Sequence, residues 1–163
     1  MTMLKNEPAQ ISRRDRKKRE KLERIEAAAR QLFGAMGYES TTTRAIADAA
    51  DVATGTLFVY FPEKIDLLIH LYSLDLARVT SAELDALPEN ISVVDACMRV
   101  FDALYEFYEK DVGLARAFVK EMMFLKVGQQ PEMFKISMRF LSRLGDLIIK
   151  GQERGELRKD IGP

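Results

Sequence analysis

Leu22, Ile25, Ala29, Leu32, Phe33 and Met36 recur at steps of three and four, an apolar stripe that only an α-helix gathers on one side. Ser12 stands where that helix would be capped, and Gly37 where it would stop. The same rhythm continues down the chain. Arg44 to Ala50 and Thr54 to Phe61 read as two short helices around a turn at Asp51-Val52. Pro62-Glu63 breaks the chain and opens a fourth helix, with Ile65, Leu68, Ile69, Tyr72 and Leu76 on one side, reaching about Leu84. Leu87-Pro88-Glu89-Asn90 is a connector. Ser92 with Asp95 forms a capping pair ahead of an apolar face of Val94, Cys97, Met98, Phe101, Leu104, Tyr105 and Tyr108. Lys110-Asp111 and Gly113 predict a bend, then a helix from about Leu114 to Leu125. A break at Gly128-Gln129-Gln130-Pro131 precedes a last helix to about Glu153. No stretch sustains the alternation of a β-strand, so the expected fold is all-α, with six or seven helices.

This pattern closes several functional classes. One cysteine, Cys97, rules out a disulfide framework, and one histidine, His70, rules out two-His zinc motifs. Cys97 is expected as a small buried hydrophobe and His70 as a packed or half-exposed side chain. No phosphate-binding glycine loop, nucleophile elbow or ligand-spaced Cys/His pair is present, so neither an enzyme nor a cofactor or metal site is expected. Gly151 and Gly155 match G-x-x-x-G, but Gln152, Glu153 and Arg154 between them exclude a membrane dimer motif. The N-terminus has no apolar signal core, and no run approaches the roughly eighteen apolar residues of a membrane span. A soluble, cytoplasmic protein is expected.

The net charge is zero, yet residues 1–24 carry nine Lys or Arg against four acids. One end is therefore suited to a polyanion while the body is not. Residues 1–12 are expected as a flexible tail leading into the basic segment Arg13 to Lys21.

Residues 40–64, STTTRAIADAADVATGTLFVYFPEK, are the informative stretch. Two short helices on a tight turn are what a helix-turn-helix needs. Ile46 and Ala50 would face inward, and Ala47 would allow a close crossing. Val52, Leu57 and Phe61 would complete a miniature core. Thr54, Gly55, Thr56, Val59 and Tyr60 remain outward, with Lys64 just beyond. That face ends in a phenol and an ammonium, groups that hold phosphates while a helix lies in a DNA groove.

The succession AA-RQLF-AMGYESTTTRAIADAADVATGTLFVYFPEKIDLL closely resembles the N-terminal domain of TetR-type transcriptional regulators, over about Arg24 to Leu68. The resemblance implies a helix-turn-helix DNA-binding domain over 13–62 and a helical ligand-binding and dimerisation domain over 63–163. It implies that Thr42, Thr43, Tyr60 and Lys64 contact phosphates, while Arg44, Thr54, Gly55, Thr56 and Val59 face base edges. Thr42 is also a natural N-cap. Three departures stand out. Asp51 replaces the usual turn glycine but tolerates a left-handed backbone. Ala53 replaces a capping Ser, at a cost of about 1 kcal/mol. Thr54 and Val59 replace larger polar residues, so base reading would rest on thymine methyls and shape, with Arg44 the reader of a guanine.

Residues 98–140 hold five of the eight methionines and six of the nine phenylalanines. Such interiors repack around varied apolar ligands. The expected ligand is small, apolar or aromatic and of low charge, with Phe101, Tyr105, Tyr108, Phe118, Met122 and Phe140 lining its pocket. In the last helix Met133, Ser137, Phe140, Leu144 and Leu147 keep a 3–4 rhythm, while Phe134, Ile136, Leu141 and Ile148 widen the apolar surface. So broad a face calls for two partners, the core and a second subunit. Family members usually continue with one or two more helices after such a segment.

The expected function is a sequence-specific DNA-binding regulator: a homodimeric repressor released from a pseudo-palindromic double-stranded operator by the ligand. The rival expectation is a helical small-molecule-binding or interaction protein that has lost operator binding. The uncapped Ala53 favours the rival; the Gly-Thr-Leu-Phe-x-Tyr-Phe run and Lys64 favour DNA.

Overall fold

A computed structural model describes residues 12–124, 131–160 and 162. All but Ser12 of the expected tail, together with Leu125 and Gly128-Gln129-Gln130, lies outside the described residues. Seven α-helices and no strands are present among those described: α1 Arg13–Met36, α2 Thr43–Ala49, α3 Thr54–Tyr60, α4 Lys64–Asp85, α5 Val93–Glu109, α6 Val112–Met122 and α7 Pro131–Glu153.

The caps explain the boundaries. Ser12 Oγ accepts the Asp15 N–H at 3.1 Å and opens α1. Gly37, at φ 77°, closes it and donates its N–H to the Phe33 carbonyl. Thr42 Oγ1 accepts from Ala45 N at 3.1 Å to start α2. Ser92 and Asp95 cap α5 through the Asp95 N–H, at 3.0 Å. One expected boundary moves. Asp111 is not part of a bend but the N-cap of α6, because its Oδ1 accepts the Leu114 N–H at 2.9 Å. The helix therefore starts at Val112 and ends at Met122.

Helix α4 is the spine. It packs against α1, α5, α6 and α7. It is accordingly buried on more sides than its single expected stripe, adding Leu67, Leu71, Thr80 and Leu84. One continuous core runs from Ile25, Phe33, Ile46 and Leu57 through Leu67, Leu68 and Ile69 to Tyr72 and Phe118. Each such aliphatic side chain, fully buried, contributes roughly 1.5–3 kcal/mol. Tyr72 stacks on Phe118 with ring centres 4.4 Å apart and meets Phe107 edge-on at 5.0 Å.

Helix α5 corrects its predicted face. Val93, Ala96 and Val100 are buried, whereas Val94, Met98, Phe101 and Tyr105 lie exposed. Cys97 is half-buried. The apolar surface of α5 is wide enough for two sides, and the body covers only one of them. Helix α7 behaves likewise, with Phe134, Met138, Leu141 and Ile149 exposed.

The end of α7 latches onto the start of α5. Glu156 Oε2 accepts the Val93 N–H at 2.9 Å, and Arg154 donates both to Glu156 and to the Ile91 carbonyl. The Arg154 guanidinium first, and the Val93 N–H second, hold the Glu156 carboxyl below its usual range. Gly151 makes the approach possible: a Cβ there would stand 2.2 Å from Val93 Cγ2 and 3.4 Å from Leu157 Cδ1. Gly151→Ala should therefore destabilise the chain by about 1–3 kcal/mol despite the better helix propensity of alanine. Urea denaturation measures this, and an unchanged midpoint would mean that the contact is not tight.

Candidate nucleic-acid interface and ligand cavity

The helix-turn-helix is seated by small apolar residues. Ile46, Ala47 and Leu57 are fully buried, and Ala50 and Phe61 nearly so. The turn between α2 and α3 passes through Asp51 at φ 51°, the left-handed conformation that aspartate tolerates. Arg24 reaches Asp51 from α1 at 3.0 Å, an exposed and therefore weak ion pair. Ala53 is the N-cap of α3 and provides no side-chain bond. What closes the first turn of α3 is backbone alone, Thr56 and Leu57 donating to the Ala53 carbonyl.

Thr42, Arg44, Gly55 and Val59 are exposed, and Thr43, Thr54, Thr56 and Tyr60 are half-exposed. Val59 is 81% exposed, an extreme for an apolar residue on a helix so well seated. Phe58, which sequence patterning did not single out, is exposed beside it. Gly55 has open space where a Cβ would project, so nothing within the protein requires glycine there. The Tyr60 hydroxyl donates to the Lys18 carbonyl at 3.1 Å and fixes the end of α3 against α1. Along α1, Arg16 pairs with Glu20 and Arg19 with Glu23, while Arg13, Arg14, Lys17 and Lys18 add exposed positive charge.

Lys64, expected as a phosphate contact, bonds carbonyls within the protein. Its ammonium donates to the carbonyls of Tyr38 (2.8 Å), Thr41 (3.0 Å) and Glu39 (3.3 Å) and lies 4.2 Å from the centre of the Tyr38 ring. An ammonium has three donors, so this set engages all of them. Thr41, 1% exposed, ties the same loop to α1 by donating to the carbonyls of Gly37 and Leu32. Burial, and then the carboxylates of Glu121, Glu39, Asp66 and Glu63, push the Tyr38 phenol up to about 12, so the ring beneath the ammonium stays neutral.

A cavity of about 250 Å³ lies between α4, α5, α6 and α7. Tyr108, Phe118, Met122 and Phe140 line it together with Leu76, Thr80, Leu104 and Ile136. Phe101 and Tyr105, expected in the same pocket, are not among its walls; they are 62% and 66% exposed on the outer side of α5. Among the described residues, no side chain lining the cavity carries a formal charge. Burial pushes the Tyr108 phenol up, and it pushes the Tyr72 phenol up to about 12. Both mark a medium that disfavours charge.

Against this geometry, the model of the family "Bacterial regulatory proteins, tetR family" matches residues 25–71, which span the end of α1 through α2 and α3 into α4. Residues 25–71 thus carry the N-terminal helix-turn-helix region of the TetR family. The chain is similar to the HTH-type transcriptional repressor KstR of Rhodococcus jostii, 28% identical over 126 residues, which is 77% of this chain and 58% of that protein. With KstR of Mycobacterium tuberculosis the identity is 43% over 61 residues, 37% of this chain and 28% of the relative. The chain thus spans less than two thirds of the length of these curated relatives. Among solved structures, it is similar to Thermus thermophilus FadR, a TetR-family transcriptional repressor in complex with lauroyl-CoA. There the identity is 27% and the TM-score 0.64, covering 86% of this chain and 72% of that one.

Within this region, the contacts of Lys64 make it the strut between α4 and the loop before α2. Lys64→Met should lower stability by about 1.5–3 kcal/mol, since three bonds to a charged donor vanish and their carbonyls lose a partner. Thermal unfolding by circular dichroism measures this, and a wild-type midpoint would leave Lys64 free for another role.

Proposed function

We propose that the chain is a DNA-binding transcriptional regulator, a repressor that holds a pseudo-palindromic operator as a homodimer and leaves it when a small apolar ligand fills the body. The supporting observation is the outward face of α3. Thr54, Gly55, Thr56 and Val59 are presented by a helix whose inner side is locked by Leu57 and Phe61. Such a face fits a major groove, with Val59 and the threonine methyls against thymine methyls. Arg44, exposed on α2, is the side chain able to pair bidentately with a guanine. Thr42 and Thr43 hold phosphates, the cations at the start of α1 add a salt-dependent attraction, and Tyr60, its hydroxyl proton given to the Lys18 carbonyl, seats α3 against α1. Because its donors are engaged within the protein, we assign Lys64 to seating the reading head.

The ligand lies in the uncharged cavity of Tyr108, Phe118, Met122 and Phe140. An apolar chain of low charge suits it, and the lauroyl-CoA held by the Thermus FadR structure is consistent with an acyl chain. Phe101 and Tyr105 take a different part. With Val94 and Met98 they form an exposed stripe on α5 at spacings of four, three and four. Phe134, Met138, Leu141 and Gly145 repeat those spacings on α7. Laid antiparallel, α5 of one copy and α7 of another bring Phe101 and Tyr105 against Met138 and Phe134. The acidic flank of Asp102 and Glu106 then meets Lys135 and Arg139. A second copy so placed supplies the second reading head that a palindrome needs.

Selection of bound duplexes from a random library tests this reading. Enrichment of a two-fold-symmetric site is expected, and Arg44→Ala should cost about 1–3 kcal/mol and relax one base position per half-site. Diffuse, salt-sensitive binding without a site would instead favour a helical ligand-binding protein that has lost its operator.

A further inference from the structure

Ser73 is the one residue whose buried side-chain oxygen lacks a hydrogen-bond partner among the described residues. It is 4% exposed, on the α4 spine. A helical hydroxyl ordinarily donates to the carbonyl three or four residues back, and Thr80 on the same helix does so, to Leu76 at 2.8 Å and Ala77 at 3.3 Å. Ser73 does not. Leaving a hydroxyl buried and unmatched carries a desolvation cost. Its position gives that cost a use.

Two cavities meet at this residue. One is the 250 Å³ space of the body. The other, about 340 Å³, lies under the helix-turn-helix, against Tyr60, Phe61 and His70. Ser73, Met133 and Ile136 line both. Ser73 thus stands in the wall shared by two largely apolar chambers, with its unmatched hydroxyl buried in that wall. Among the described residues, the charged or ionisable groups around the upper chamber are Tyr60, Asp66 and His70. Asp66 would repel an anion, and the His70 Nε2 stands 2.7 Å from Glu26 Oε1.

Building on the ligand reading above, we propose that Ser73 recognises the carbonyl of an uncharged ester, thioester or ketone. The apolar arms of that molecule occupy both chambers. The hydroxyl donates its proton to the carbonyl oxygen, and no bond is made or broken. A free carboxylic acid is disfavoured, since ionised it would sit near Asp66 with no Lys or Arg among the described lining residues to meet it. The upper arm lies against Phe61, the last-turn neighbour of α3, and against His70, which joins α4 to α1 through Glu26. The same molecule therefore touches the body core and the seat of the reading head.

Binding of methyl decanoate and of undecane, followed by calorimetry on wild type and Ser73→Ala, tests this. In wild type the ester should bind about tenfold more tightly than the alkane. Ser73→Ala should lose about tenfold for the ester and stay within about twofold for the alkane. The free variant should melt no lower than wild type, whereas a hydroxyl serving only structure would lower it on removal. Ser73→Cys, which keeps the volume with a weak donor, should likewise lose the preference for the ester. If both probes bind wild type and the variants change neither affinity, or both alike, the assignment of Ser73 is overturned while the cavity stands. If neither probe binds wild type, the ligand reading fails and this inference falls with it.

Discussion

The three bonds from the Lys64 ammonium to the carbonyls of Tyr38, Glu39 and Thr41 hold the two halves of the molecule in register. A cation in the first turn of a helix opposes the helix dipole, so Lys64 belongs there only because the carbonyls and the Tyr38 ring surround it. Asp66, accepting the Glu63 N–H at 2.9 Å, supplies the negative charge that the same helix end favours. From this anchored start α4 runs through the whole body. The position of the helix-turn-helix relative to the cavity is set by the first turns of one helix.

Further down α4, two more links reach back to α1. His70 meets Glu26 while its ring packs on Phe61, and Arg30 bonds Asp75. These contacts join α1, α3 and α4 on the side where the upper cavity opens. A packed core has few intermediate arrangements, so a displacement of α4 is transmitted rather than absorbed. In the proposed dimer, a ligand that favours one setting of α4 would favour one spacing of the two reading heads, and the coupling would be reciprocal by linkage.

Much of the fold was legible in the sequence, and the reasons are local. Ser12, Gly37, Thr42 and Ser92 announce helix ends through caps that need only their own neighbours. The inward set of Ile46, Ala50, Leu57 and Phe61 follows from helical spacing alone. Asp111 misled because Lys110-Asp111 beside a glycine reads equally as a bend or as a cap, and only the Leu114 N–H decides. Phe101 and Tyr105 misled because α5 is apolar on two sides, and periodicity does not say which side the body takes. Lys64 was expected on phosphate from its position; that its ammonium also meets carbonyls 23 to 26 positions earlier is a tertiary fact that the sequence does not carry. Thr41 could not be told from Thr42 and Thr43 by composition, although one is buried and its neighbour caps. Ser73 gave no sequence signal, since an unmatched hydroxyl is visible only against what surrounds it.

If α4 links the cavity to the reading head, ligand and operator must compete through it. The direct measurement is the affinity of the selected duplex for the chain, by fluorescence anisotropy, with and without saturating methyl decanoate. A weakening of at least about fivefold with ligand bound is expected, the lower end of ordinary coupling between two sites. An unchanged duplex affinity, with the ester demonstrably bound, would contradict the coupling and leave the cavity and the helix-turn-helix as independent features of one fold.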